Sequence, residues 1–306
     1  MRAIIQRFPV LTFVLLTLLY QFVVVGVVWS RLPVDAHIND DDISHMIFRF
    51  RVFGPLVFAV GLTAYLEGWA GVQTLFGGFL KWKVPPQWYA FAISWKFLFT
   101  WAGIGFLAIM GIREWPGLFV ENMIGGDWST GKALLSNMGF IVGIAFVEET
   151  AWMKFSVTRL QDRMAALPAC LLVGCGWALW YLPMLLIEEG TPDGYPTPVF
   201  MLSMVCLTIL LGWTYNMTRS GTVLLVMQII SNCAFFLIPV LPTFWGLDPS
   251  YINAFVGVNF VSALAISLIY GWRELGTRPR ATWSESHAEV LERAKGSGKT
   301  ERIPAH

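Results

Sequence analysis

Polar residues in this chain are gathered into short segments, and long apolar runs lie between them. The first run, residues 8–30, carries no charge. A helix needs about 20 mostly apolar residues to cross a hydrocarbon core of roughly 30 Å. This run is too long for a cleaved signal peptide and no small-x-small site follows it, so a retained helix is predicted, with Arg2 and Arg7 ahead of it. A polar segment, 31–51, follows, with Asp35, Asp40, Asp41 and Asp42. Further helices are predicted over 52–66, with a bend at Gly54-Pro55, and over 88–112, 134–149, 168–187, 199–215, 222–241 and 251–272. The fold class is therefore all-α, a polytopic transmembrane bundle of about eight membrane-spanning helices. Residues 1–272 form one transmembrane domain. Residues 273–306 form a charged tail, within which 284–294 can make a short surface helix. No internal repeat or low-complexity block is present. Gly296-Ser297-Gly298-Lys299 lacks the first half of a phosphate loop and follows no strand.

Composition agrees with this pattern. The 306 residues are 56% hydrophobic and 13% charged, against roughly 25% charged in soluble domains. A net charge of +1 gives no case for nucleic acid as a partner. The partner is the lipid bilayer. Basic residues sort the connections: Arg2, Arg7, Lys81, Lys83, Lys154, Arg159, Arg163, Arg219 and the tail fall on one side, which is expected to be cytoplasmic. Both termini are then cytoplasmic, in a plasma (inner) membrane. Arg31, Arg49 and Arg51 in the first outer segment run against the rule. Trp29, Trp88 and Trp272 near helix ends fit interfacial anchors. Cys170, Cys175, Cys206 and Cys233 sit in apolar runs and read as buried thiols. The histidines are His37, His45, His287 and His306, none inside a predicted spanning helix, so a His-ligated metal in the membrane is excluded by inventory. No cofactor is expected.

Ionisable groups inside apolar segments are costly and mark sites by default. Glu148-Glu149 closes the apolar run 140–147. Two adjacent buried carboxylates suit general acid–base work, while a plain helix end at the interface is the alternative. Lys96 either snorkels to the interface or pairs with one of these glutamates. Gln228 and Asn232 are four residues apart and share a helix face, either bonding a neighbouring helix or donating to an oxyanion. Tyr181 reads first as packing. Lys154, Arg159 and Arg163 read as a basic amphipathic stretch, and Glu188, Glu189 and Asp193 as solvated loop charges.

Three stretches together resemble the motifs of the CPBP intramembrane proteases, the CAAX-protease and bacteriocin-processing (Abi) group. Residues 148–163, E-E-T-A-W-M-K-F-S-V-T-R-L-Q-D-R, resemble the first, a glutamate pair, three residues and an arginine. Residues 177–183, W-A-L-W-Y-L-P, resemble the second, an aromatic, three residues and a histidine. Residues 215–232, Y-N-M-T-R-S-G-T-V-L-L-V-M-Q-I-I-S-N, resemble the third, a histidine, three residues and an asparagine. The resemblance covers about residues 80–240. It implies Glu148 as base, Glu149 as its orienting partner, and Gln228 and Asn232 as oxyanion donors. Met153 stands at the arginine position, Tyr181 at the first histidine and Gln228 at the second. Lys96 or Lys154 is then the candidate for the missing charge.

Two readings follow. In one, the chain keeps the family's cavity, open toward the cytoplasm, and binds a transmembrane or lipidated peptide or another membrane protein with weak or lost peptidase activity. In the other it is an active glutamic endopeptidase with an altered site. A small-solute transporter ranks below both, because no paired broken helices or inverted repeat are evident.

Overall fold

The computed structural model describes residues 2–33, 36–120, 129–189, 195–240 and 249–300, with the side chains of 129, 130 and 296–300 left aside. No strand occurs among them. The main helices are α1 (Pro9–Arg31), α2 (Asp42–Leu80), α3 (Pro86–Ile109), α4, α5 (Ala166–Leu186), α6 (Thr197–Thr218), α7 (Gly221–Ala234), α8 (Ser250–Ile269) and α9 (Trp283–Thr300). Helix α4 runs through three contiguous stretches, Met138–Glu148, the π-helical Glu149–Val157 and Thr158–Gln161.

Among the described residues six helices, α1, α2, α3, α5, α6 and α8, are long and apolar enough to cross a membrane. The protein is an integral membrane protein built as an all-α bundle. Each segment expected from the apolar runs contains a helix, but the seventh ends at Ala234 rather than Leu241: residues 235–240 are turns, and Leu241 falls outside the described residues. The other two expected spans are α4, whose apolar stretch ends at Glu148-Glu149, and α7, a shorter helix that carries Gln228.

Helix α1 shows how the apolar runs are used. Phe13, Thr17, Gln21, Val25 and Val28 recur at helical spacing and are buried, while Leu11, Leu15, Leu19 and Val23 face outward. Outward apolar side chains suit lipid, and the inner stripe includes polar groups because it faces protein. The second helix departs from expectation. It runs from Asp42 to Leu80 rather than over 52–66, and its break lies at Gly68, with φ 63°, not at Gly54-Pro55. A β-carbon is disfavoured in that left-handed region, so glycine sets the break where the proline only starts a regular stretch. The longer helix also takes in His45 near its first turn, so one histidine does lie in a helix of spanning length. Asp41 caps this helix by accepting from the Ser44 amide and hydroxyl.

Helix α4 is the centre of the bundle. It packs against α2, α5, α6 and α7, and all nine residues of its π-helical part are buried. Lys154 and Arg159 are therefore inside the protein, not on a basic amphipathic surface. Around this centre α5 pairs with α6, and α3 with α7 and α8. Residues after 272 do not leave the bundle at once. The Arg273 carbonyl accepts from the Ala166 amide at 2.8 Å, and Leu275, Ala281 and Trp283 are buried. The surface helix α9 then lies on α2. Of the four cysteines, all free, Cys175 is exposed rather than buried. Glu189 is not a free loop charge either: it accepts from the Ile38 amide at 2.8 Å. Asp35, Asp193 and His306 lie outside the described residues.

Candidate functional site

The site begins where α4 changes its winding. Glu148 ends the regular α-helical stretch and Glu149 opens the π-helical one. π-Helical turns are rare and concentrate at functional sites. Here side-chain hydroxyls support the altered backbone. Thr150 donates to the Phe146 carbonyl at 2.7 Å, Ser156 to that of Ala151 at 2.8 Å, and Thr158 to that of Lys154 at 2.5 Å.

Glu148 is 4% exposed and meets two other helices. The Tyr181 hydroxyl of α5 donates to its Oε1 at 3.1 Å, and the Gln228 side-chain amide of α7 donates to its Oε2 at 2.7 Å. Each carboxylate oxygen is thus taken by a neutral donor, and the cluster is closed. Gln228 Oε1 has no partner among the described residues. Glu149 is fully buried and neither of its oxygens is hydrogen-bonded to a described residue. A carboxylate without donors or cation in such surroundings is costly as an anion.

The sequence-derived site residues thus divide. Glu148, Tyr181 and Gln228 converge in direct contact. Asn232 lies one turn beyond Gln228 on α7, half-buried, and forms no hydrogen bond to the other three. Met153 is buried in the core, beside Gly212 of α6 and Cys170 of α5. Neither lysine pairs with a glutamate. Lys96 donates to Ser231 of α7 at 3.2 Å and stands 3.4 Å from the Phe235 ring centroid, buried instead of snorkelling. Lys154 donates to the Tyr215 hydroxyl of α6 at 2.7 Å. Both lysines tie α-helices together through neutral partners.

Residues 130–234 match the family model described as Type II CAAX prenyl endopeptidase Rce1-like. Over these residues the chain is similar to the CPBP, or CAAX protease, family. The matched stretch runs from eight residues before α4 to the end of α7 and contains Glu148, Glu149, Met153, Tyr181, Gln228 and Asn232, while Lys96 lies outside it. A comparison with curated proteins finds no match. The similarity of this stretch is to an intramembrane protease of the CAAX type.

One group near the Glu148 cluster was not singled out from the sequence. Arg51, read as an outer-segment charge, is buried at 6% exposure and projects onto α5 beside Tyr181. Its Nε donates to Met184 Sδ at 3.0 Å, its Nη2 to the same sulfur, and its Nη1 to the Phe48 carbonyl. The available signal was its place between Phe50 and Val52, at the very start of an apolar run.

Proposed function

We propose that the chain is a CPBP-family protein that binds a transmembrane or lipidated peptide at the Glu148 cluster and has weak or lost peptidase activity. The observation that carries this reading is the pair of neutral donors on Glu148. Where the family resemblance expects two imidazoles, Tyr181 and Gln228 occupy both carboxylate oxygens. A phenol with an unperturbed pKa of about 10 does not serve as a base near neutrality. Loss of a general base removes about 10²–10⁴-fold in rate. Gln228, committed to Glu148, is not aimed at an oxyanion. A peptide entering the cluster displaces Tyr181 or Gln228 and takes over their hydrogen bonds, which suits recognition of a backbone amide. Arg2 and Arg7 ahead of α1, Arg163 just after α4 and the basic tail favour cytoplasmic termini.

A slow glutamic endopeptidase is the second reading, favoured by Glu149, whose carboxylate is not occupied by any described residue. Incubating the purified full-length protein in detergent with a library of membrane-spanning peptides, read by mass spectrometry, separates the two. The proposal expects captured peptides and no cleavage, with cleavage appearing in the Tyr181→His, Gln228→His, Met153→Arg triple variant. Cleavage by the unaltered protein that Glu148→Gln abolishes would overturn it.

A further inference from the structure

A guanidinium inside a membrane protein needs an anion or several strong acceptors. Arg51 has neither. Among the described residues no carboxylate lies within ion-pair distance of it. Its Nε and Nη2, the edge that grips a carboxylate with two parallel hydrogen bonds, both point at one thioether sulfur, that of Met184. Sulfur is a weak acceptor, and methionine is an unbranched side chain that readily changes rotamer. The rest of the guanidinium is held firmly. The Phe48 ring centroid lies 3.5 Å from its central carbon and that of Trp180 lies 5.8 Å away, while the Phe48 carbonyl takes Nη1. Aromatic faces fix such a cation without neutralising it.

The position of this fork relates it to the site. Met184 is three residues after Tyr181 on α5, roughly 4.5 Å along the axis. Tyr181 is the residue that donates to Glu148. The walls around the fork, Phe48, Trp180 and Met184, are buried and apolar. One added negative charge balances the guanidinium. A doubly charged phosphate would overshoot it and face the carboxylate of Glu148 as well.

We infer that Arg51 forms a carboxylate-receiving subsite beside the Glu148 cluster, which a peptide ligand's carboxylate enters by displacing the Met184 sulfur. This rests on the peptide-binding reading above and deepens it. A terminal carboxylate at Arg51 sets the last one or two peptide units of the ligand next to Tyr181 and Glu148. A side-chain carboxylate at the same point would place the chain on either side of them.

The test uses full-length protein in lipid nanodiscs and three probes, N-palmitoyl-Leu-Leu as free acid, the same compound as C-terminal amide, and N-palmitoyl-Leu-Asp amide. The subsite is expected to favour a carboxylate probe over the Leu-Leu amide by roughly tenfold or more. Preference for the free acid assigns it to a chain terminus, and preference for the Asp amide to an acidic side chain. Arg51→Met is expected to weaken binding of the preferred carboxylate probe by roughly tenfold or more and so abolish the preference. Arg51→Lys, with charge but no fork, is expected to restore part of it. Equal binding of acids and amide by the unaltered protein, which needs no variant to fold, would overturn the subsite and leave peptide binding standing. A preference that survives Arg51→Met would remove Arg51 as its source. Binding of none of the probes would overturn the peptide reading and the subsite together.

Discussion

At the scale of single residues, the molecule places charged groups inside a bundle and satisfies most of them with neutral partners. Tyr181 and Gln228 do so for Glu148, Ser231 for Lys96 and Tyr215 for Lys154. Removing one such partner leaves a buried acceptor unpaired, which costs about 1–3 kcal/mol. Tyr181→Phe is therefore expected to lower the thermal unfolding temperature in detergent, and Gln228→Leu likewise. Because both act on one carboxylate, their double variant is expected to be non-additive, with a coupling of about 0.5–3 kcal/mol in a thermodynamic cycle. Strict additivity would show that Glu148 is not shared as described. Adjacent glutamates, an i, i+4 amide pair and a tyrosine in an apolar helix were all visible as types in the sequence. Which of them touch was not. Asn232 has the same spacing logic as Gln228, yet only Gln228 reaches Glu148, because one turn along α7 carries the side chain past it.

At the scale of elements, helix pairs approach closely where glycine permits. A methyl group on Gly103 of α3 would stand 2.9 Å from the Ala254 carbonyl carbon of α8, and one on Gly174 of α5 would stand 2.9 Å from Val205 Cα of α6. Nothing lies within 4 Å of such a group on Gly61. Small residues let transmembrane backbones pack without a hydrophobic driving force. Gly103→Ala and Gly174→Ala should thus lower the unfolding temperature by several degrees, while Gly61→Ala, at the same helix-propensity change, should not lower it. At Gly68 the surroundings are equally open, so Gly68→Ala carries only the backbone penalty of its φ and ψ, on the order of 1–3 kcal/mol. The apolar runs located the main helices within a few residues at most ends, since length and hydropathy govern spanning segments, but placed the end of α7 seven residues too late. They missed the extent of α2 on both sides, because 42–51 and 67–80 are too polar or glycine-rich to read as spanning. The π-helical stretch had no sequence signal either; its hydrogen bonds are made possible by burial on every side.

At the scale of the molecule, the tail is a structural part of the bundle. Trp283 Nε1 donates to Glu67 Oε2 at 2.9 Å, Arg159 pairs with the other Glu67 oxygen at 2.7 Å, and the Trp283 ring covers the Arg159 guanidinium at 3.7 Å. His287 reaches Thr74 at 2.8 Å and Lys81 pairs with Glu289 at 3.0 Å, pinning α9 along α2. Trp283→Ala opens both the cavity of a large ring and the ion pair beneath it. A loss of about 3 kcal/mol is expected, with faster proteolysis after residue 272. Unchanged protease resistance would mean that the tail is held elsewhere.

Residue order alone determined that the chain is a membrane bundle, roughly where its helices lie and which segments resemble a CPBP protease. Those properties depend on local apolar length and on residue types at set spacings, so they are written along the chain. The tertiary structure decided which charges meet. Arg51 stands among the loop charges along the chain, about a hundred residues from the motif stretches, yet helix packing sets it beside Tyr181. Lys96 and Lys154, closer to the motif in chain or in type, turn away from the glutamates. Contact between helices depends on rotation and register, which period and hydropathy do not encode, and in a low-dielectric interior a few ångströms decide whether a charge has a partner.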